Sequence, residues 1–244
     1  MPVKILLNGA KGRMGLAIIK LAAEYNVEII AALDQGDDPA AHIDAADLVM
    51  DFSFHSVTPA LAELAAQKGK PIVIGTTGHN AEERARIIEC SKTVPMVFAG
   101  NYSMGVNLLY FLIGKAAEIL GPEYNAEVVE MHHNLKKDAP SGTAERIVEV
   151  IREARKLSAD CVTNGREGLV GERPVDEIGV HALRGGDIVG EHTAIFAGPG
   201  ERVEITHKAS DRAILARGAI RAANWLVSKE AGFYDMKDVL NIGA

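Results

Sequence analysis

Val3-Lys4-Ile5-Leu6-Leu7-Asn8-Gly9-Ala10-Lys11-Gly12-Arg13-Met14-Gly15 is the stretch that decides the fold. Val3 to Leu7 is a short apolar run of strand length, and Leu16, Ile19 and Ala23 repeat at helical spacing after the glycines. A strand, a glycine turn and a helix in that order place free backbone N–H groups at a helix N-terminus, where a pyrophosphate can sit. The glycines Gly9, Gly12 and Gly15 are spaced GxxGxxG rather than GxGxxG, and a turn that only packs a helix on a strand is the competing reading of the string.

The next element narrows the choice. Val27 to Leu33 reads as a second strand and ends in Asp34, about twenty residues beyond the loop, where a carboxylate can accept from adenosine ribose hydroxyls. A solvated strand end is the competing reading of Asp34. A carboxylate there disfavours a 2′-phosphate, while Lys11 and Arg13 partly offset its charge, so the residues point to NADH with NADPH also usable.

Outward from the loop the alternation continues: a strand Leu48 to Phe52, a helix Pro59 to Gln67, a strand Pro71 to Gly75, a helix Ala81 to Ser91 and a strand Met96 to Ala99. Strands alternating with helices imply right-handed crossovers and a parallel sheet. The expectation is an α/β, Rossmann-like, doubly wound parallel sheet. Asp51-Phe52-Ser53 and Gly75-Thr76-Thr77-Gly78 fall at carboxyl ends of its strands, where ligands gather, although both also suit ordinary caps and turns.

The second half reads differently. A long helix runs from Gly105 to Leu120 and stops at Gly121-Pro122, and Ala126 to His133 alternates as a strand. Val180 to Arg184, Asp187 to Ala197 and Arg202 to Ala209 read as strands joined by turns at Gly185-Gly186 and Gly198-Pro199-Gly200, a run of hairpins giving an antiparallel or mixed sheet. The tail, with Ile214, Leu215, Gly218, Ala222, Trp225 and Leu226 near one helical face and a short element from Phe233 to Leu240, is expected to return to the first domain. Residues 1–104 completed by 213–244 would form a dinucleotide-binding domain, and 105–212 an α+β domain for substrate and oligomerisation.

The segment Glu130-Met131-His132-His133-Asn134-Leu135-Lys136-Lys137-Asp138-Ala139-Pro140-Ser141-Gly142-Thr143-Ala144 gathers proton donors between a strand end and a helix start. Ser141 is the expected N-cap, which leaves the N–H groups of Gly142 and Thr143 outward-facing. An open helix start beside a lysine and two imidazoles suits an anionic substrate that must be protonated. A structural His pair or a solvated loop is the bland reading. His42, His55, His79, His181, His192 and His207 read as structural or surface residues.

Composition bounds the rest. A net charge of -7 argues against a nucleic-acid partner, and 48% hydrophobic with 24% charged residues describes a globular chain. No stretch is read as reaching the roughly 18 to 20 apolar residues of a membrane span, and Met1 to Ile5 leads into a strand rather than a signal peptide, so a cytoplasmic location is expected. Cys90 and Cys161 lack metal-type spacing, His132 and His133 as strand neighbours face apart and have no third ligand, and no GxSxG stands in the chain; no metal and no Ser or Cys nucleophile is expected.

GAKGRMG, DFS, GTTG, AGNYSMGVN, EMHHNLKKDAPSGTA, RGGDIVGEH and GFYDMKDVL, in this order, resemble the successive signatures of the dihydrodipicolinate reductase family nearly end to end. The HHNLKKDAPSGT block is specific to it; the glycine loop is not. The resemblance implies NAD(P)H-dependent reduction of a cyclic imine dicarboxylate, 4-hydroxy-tetrahydrodipicolinate, in lysine and diaminopimelate biosynthesis. It implies His132 as acid and base and Lys136 as second proton donor, with His133, Gly142 and Thr143 on the substrate. Gly9, Ala10, Lys11, Gly12, Arg13, Met14, Asp34, Gly75, Thr76, Thr77, Ala99, Gly100, Asn101 and Tyr102 would contact the cofactor, and a homotetramer is implied.

The family often has proline where Gly100 stands and a basic residue where Gln35 stands, which weakens a preference for NADPH. Other two-domain dehydrogenases share the first half but do not require the HHNLKKDAPSGT loop. A module that senses nicotinamide without chemistry has no need of paired proton donors. A scaffold role is favoured only by the second sheet, whose edges can pair between chains.

Overall fold

A computed structural model describes residues 1–243. They fall into two compact units: Met1–Met104 with the segment from Ala213 onward, and Gly105–Arg212.

The first unit is a six-stranded sheet in which every pairing is parallel, in the order β11-β5-β4-β3-β1-β2. Its strands are β1 (Val3–Asn8), β2 (Val27–Leu33), β3 (Leu48–Asp51), β4 (Ile72–Ile74), β5 (Pro95–Phe98) and β11 (Gly232–Tyr234); its helices are α1 (Arg13–Leu21), α2 (Thr58–Gln67), α3 (Ala81–Cys90), α6 (Ala213–Leu226) and α7 (Met236–Leu240). The strand runs are apolar throughout because both faces are covered. Ile5, Leu7, Met50, Val73 and Val97 pack with α1, α6 and α7 on one face, while Leu6, Val49, Ile72, Ile74 and Met96 pack with α2 and α3 on the other. The tail thus contributes α6 and a sixth strand beside β5, not foreseen in the short terminal element. At Gly218 of α6 an added Cβ would lie 1.7 Å from the carbonyl oxygen of Tyr102, so the absence of a side chain permits this approach.

The second unit carries a five-stranded mixed sheet, β10-β9-β6-β8-β7, made of β6 (Asn125–His132), β7 (Val162–Asn164), β8 (Ile178–Arg184), β9 (Gly190–Gly198) and β10 (Glu201–Ala209), with α4 (Met104–Leu120) and α5 (Gly142–Arg155). Ala126, Val128, Ile178, Val180, Ala194 and Phe196 share a core with Leu109, Ile113 and Ala117 of α4 and Ala144, Ile147, Val148 and Ile151 of α5. The β9–β10 hairpin at Gly198-Pro199-Gly200 forms as its turn residues require.

The expected hairpin at Gly185-Gly186 does not form. β6 lies between β8 and β9, parallel to the first and antiparallel to the second. The chain between them crosses the end of β6 instead: Gly185 N donates to His132 O (2.9 Å), Asn134 N to Gly186 O (3.2 Å) and His133 N to Ile188 O (2.7 Å). A glycine pair records that the chain turns, not which strand it then pairs with.

A second expectation also needs correction. Residues Met104–Glu123 are long and apolar enough, by length and composition, to cross a membrane, because Lys115, Glu118 and Glu123 are too few to lower the average. Leu109, Ile113 and Ala117 within this stretch are nevertheless buried in the protein core.

Candidate active site

In the first unit, the carboxyl ends of β1, β3 and β4 come together around Asp51. This carboxylate is fully buried and accepts hydrogen bonds from Asn8 Nδ2 (3.0 Å), Ser53 Oγ (2.5 Å), Thr58 Oγ1 (2.6 Å) and Thr76 Oγ1 (2.9 Å). Three strand ends are thereby fixed to one group, a role the sequence reading did not assign to it. The Thr76 hydroxyl also accepts the Ser53 N–H, so it is directed into this cluster.

The glycine loop is as tight as its composition requires. Gly9 has φ +83° and an added Cβ there would sit 2.3 Å from Phe52 O; one at Gly15 would sit 2.3 Å from Gly9 O. Helix α1 begins after Gly12 with no side-chain cap and no acidic residue in its first turn. An uncapped helix start of this kind, positively polarised, suits a pyrophosphate, so the residues present fit a dinucleotide. Asp34 accepts from Gln35 N (2.9 Å) and Lys11 N (2.8 Å), and these backbone donors hold its half-buried carboxyl below the ordinary value.

Gly75 lies against the Phe52 ring, and Thr77 is exposed. Gly100 lies beside Thr77, where a Cβ would make an ordinary contact at 3.7 Å, and Asn101 caps the Ser103 N–H at 2.9 Å. The Tyr102 side chain is buried, meets Phe52 edge-on, and donates its hydroxyl to Ile74 O at 2.7 Å. That side chain anchors the loop from Ala99 to Asn101.

In the second unit the buried face of β6 changes from Ala126 and Val128 to Glu130 and His132 at its carboxyl end. Glu130 is fully buried and serves four donors. His132 Nδ1 stands 2.6 Å from Oε2, Arg184 donates Nη1 to Oε2 and Nη2 to Oε1 at 2.7 Å each, and Ser141 N donates to Oε1 at 3.0 Å. Arg184 also donates to Asp138 O at 2.8 Å. Burial pushes the Glu130 carboxyl up, but the bonds from Arg184 and His132 more than reverse this and leave it below the ordinary value. Burial lowers His132, and Glu130 only partly offsets that.

Ser141 caps α5 as its sequence position predicts, its Oγ accepting the Ala144 N–H at 3.2 Å. The same oxygen lies 2.9 Å from His192 Nε2, and the His192 ring stands edge-on to His132 with centroids 5.1 Å apart. Burial, and then the charge of His132, lower His192 to about 4. Above Gly142 an added Cβ would meet nothing within 4 Å, and Thr143 hydrogen-bonds to Tyr110.

Lys136 Nζ pairs with Asp138 at 2.7 Å, with its stem largely covered, and its charge is one of those acting on His132. His133, one residue past β6, accepts from Arg212 Nη2 at 3.0 Å through Nε2. Of the expected catalytic and substrate residues, the structure joins His132 to the start of α5 through Glu130, and pairs His133 with Arg212.

Glu130, Arg184 and His192 were not singled out from sequence. Glu130 had a readable signal, since residues two apart on a strand share a face and a carboxylate there can reach the imidazole. Arg184 and His192 are 54 and 62 positions from Glu130, and nothing local marks them.

Residues 3–102 match the family description "Dihydrodipicolinate reductase, N-terminus" and residues 105–240 match "Dihydrodipicolinate reductase, C-terminus". A 4-hydroxy-tetrahydrodipicolinate reductase of Akkermansia muciniphila is 49% identical over 242 residues, covering 98% of each chain. One of Geobacter metallireducens is 44% identical over 264 residues, covering 98% of this chain and 99% of the other. Among solved structures, a dipicolinate-bound dihydrodipicolinate reductase of Paenisporosarcina sp. TG-14 superposes with a TM-score of 0.81 at 21% identity, covering 99% of this chain and all of the other; this likeness is one of fold. With both halves matched and near-complete relatives well above 40% identity, the chain belongs to the dihydrodipicolinate reductase family.

Proposed function

We propose that this oxidoreductase reduces the cyclic imine dicarboxylate 4-hydroxy-tetrahydrodipicolinate to tetrahydrodipicolinate, in diaminopimelate and lysine biosynthesis, at the expense of NADH, with NADPH also accepted. The observation that carries the reading is the buried Glu130–His132 pair tied to the capped start of α5, a proton-bearing group fixed beside an anion site. Family membership of both halves disfavours an unrelated dehydrogenase or a nicotinamide sensor.

Residues 1–104 with 213–244 would hold the dinucleotide. Gly9 to Met14 take its pyrophosphate on backbone N–H groups, Asp34 its adenosine ribose, and Gly75 to Thr77 with Ala99 to Tyr102 its nicotinamide half. When bound, the nicotinamide supplies a hydride, delivered to carbon 4 of the ring after water is lost. Asp34 keeps its charge at all working pH values, which favours a free 2′-hydroxyl over a 2′-phosphate.

Residues 105–212 would hold the dicarboxylate. The backbone at Gly142 and Thr143 receives a carboxylate at the helix start, where there is room beside Gly142, and His133 contributes a further contact. As negative charge builds toward carbon 3, His132 gives a proton from Nε2, with Lys136 the second donor. The same domain would assemble a cytoplasmic homotetramer, with a solution mass about four times the 26.0 kDa chain. An assay with enzymatically generated substrate and each nucleotide in turn tests the proposal: steady oxidation of NADH is expected, and none with either nucleotide would refute it.

A further inference from the structure

We propose that Glu130 is a positioning residue that fixes the tautomer of His132 and ties the proton donor to the anion-binding start of α5, so that one buried carboxylate sets both halves of the substrate site. The inference rests on His132 being the proton donor, as read above, and goes beyond it.

Glu130 is ionised, so its Oε2 can only accept, and the hydrogen in the 2.6 Å contact lies on Nδ1 of His132. The exchangeable position is then Nε2, a donor when the ring is charged and a lone pair when it is neutral. Giving a proton from Nε2 leaves the Nδ1–H form, which the carboxylate already stabilises, so no ring rotation is needed between the two states.

The remaining bonds hold the carboxylate in place. Arg184 grips both oxygens, and Oε1 also accepts from Ser141 N, immediately ahead of Gly142 and Thr143. A shift of Glu130 would therefore move the imidazole and the helix start together. The groups that face His132 are Glu130 on its own strand, Arg184 on β8, His192 on β9, and Lys136 from the following loop, whose ammonium is paired with Asp138. Among the described residues, Glu130 is the anion whose bond and charge favour the protonated imidazole, against burial and the charges of Lys136 and Arg184.

The test combines imidazole nitrogen NMR with pH profiles. In the wild-type protein, neutral His132 is expected as the Nδ1–H tautomer. In Glu130→Gln the amide oxygen can still accept the Ser141 N–H and hold the helix start, while the amide NH2 can only donate to Nδ1. The Nε2–H form should therefore appear, kcat should fall by about 10²-fold or more with little change in KM, and the alkaline limb of kcat/KM should move about one pH unit or more to lower pH. An Nε2–H tautomer in the wild type overturns the proposal, and this measurement needs no variant to fold. A uniform loss of rate with an unmoved limb overturns it also, since that is the behaviour of a mere brace. If His132→Gln keeps full turnover, the reading of His132 falls and the proposal falls with it; if His132→Gln is impaired and the Glu130 predictions fail, only the proposal falls.

Discussion

The backbone N–H of Lys11 donates to Oδ2 of Asp34 at 2.8 Å, so the carboxylate at the end of β2 holds the glycine loop at the end of β1. Asp34 would thus act on the proposed cofactor site twice, as ribose acceptor and as a clasp on the loop that would hold the pyrophosphate.

Asp34→Ala should consequently weaken NADH by about tenfold or more, the effect of one lost charge-assisted pair, and weaken NADPH less, since a repulsion with the 2′-phosphate is removed at the same time. Fluorescence titration of both nucleotides measures this, and a larger loss for NADPH would contradict the ribose assignment.

His132→Gln and Lys136→Ala should each lower kcat by roughly 10² to 10⁴ with nucleotide affinity unchanged. Stopped-flow single-turnover rates and a parallel binding titration separate the two quantities. Full turnover in both variants would remove the proton-donor assignment.

Gly9→Ala should not preserve the cofactor loop. A side chain at φ +83° is strained, and its Cβ would meet Phe52 O at 2.3 Å, so a loss of about 3 kcal/mol or more is expected. Gly142→Ala is its counterpart: the Cβ there meets nothing within 4 Å, the fold should be kept, and only substrate affinity should change. Urea denaturation of both variants checks the contrast.

His192 sets a pH dependence of stability. Its folded value of about 4 lies below the ordinary 6.5, so the unfolded chain binds the extra proton between those values, and stability falls as pH drops from about 6.5 toward 4. The shift corresponds to roughly 3 kcal/mol at most, lost across that window. His192→Gln should flatten this part of the profile in chemical denaturation; an unchanged slope would contradict the assignment.

Glu127 acts lower on the scale. Burial raises its carboxyl, but Arg166, His181 and Arg173 bring it down from 4.5 to about 2. A depressed carboxyl stabilises the fold above its unfolded value and loses that contribution as pH falls from about 4.5 toward 2. Glu127→Gln should be less stable than the wild type at pH 7, by roughly 2 kcal/mol, and the difference should shrink toward pH 2. Equal stability at pH 7 would show that the network contributes nothing net.

Local pattern made much of the protein readable. The apolar runs of β1, β2 and β3, the glycine turn between β1 and α1, and the cap at Ser141 depend on neighbours within a few positions, and the structure places each within a residue or so of its expected bounds. The Gly185-Gly186 turn misled for the complementary reason: backbone chirality in a turn is local, whereas the insertion of β6 between β8 and β9 depends on a strand some fifty residues earlier. Tyr102 shows the same limit, since its burial follows from contacts with Phe52 and the carbonyl of Ile74.

What the amino-acid order determined unaided was the alternation of strands and helices, the tight loop that only glycine can form, and the residue types at the end of β6 able to hold an anion and move a proton. Only the tertiary structure decided which of those types act as one: Asp51 gathering three strand ends, and Glu130 reaching Arg184 and Ser141 as well as its strand neighbour His132. Periodicity and turn chemistry are properties of adjacent residues, whereas a buried carboxylate finds its donors across the fold, wherever packing leaves them within hydrogen-bond reach.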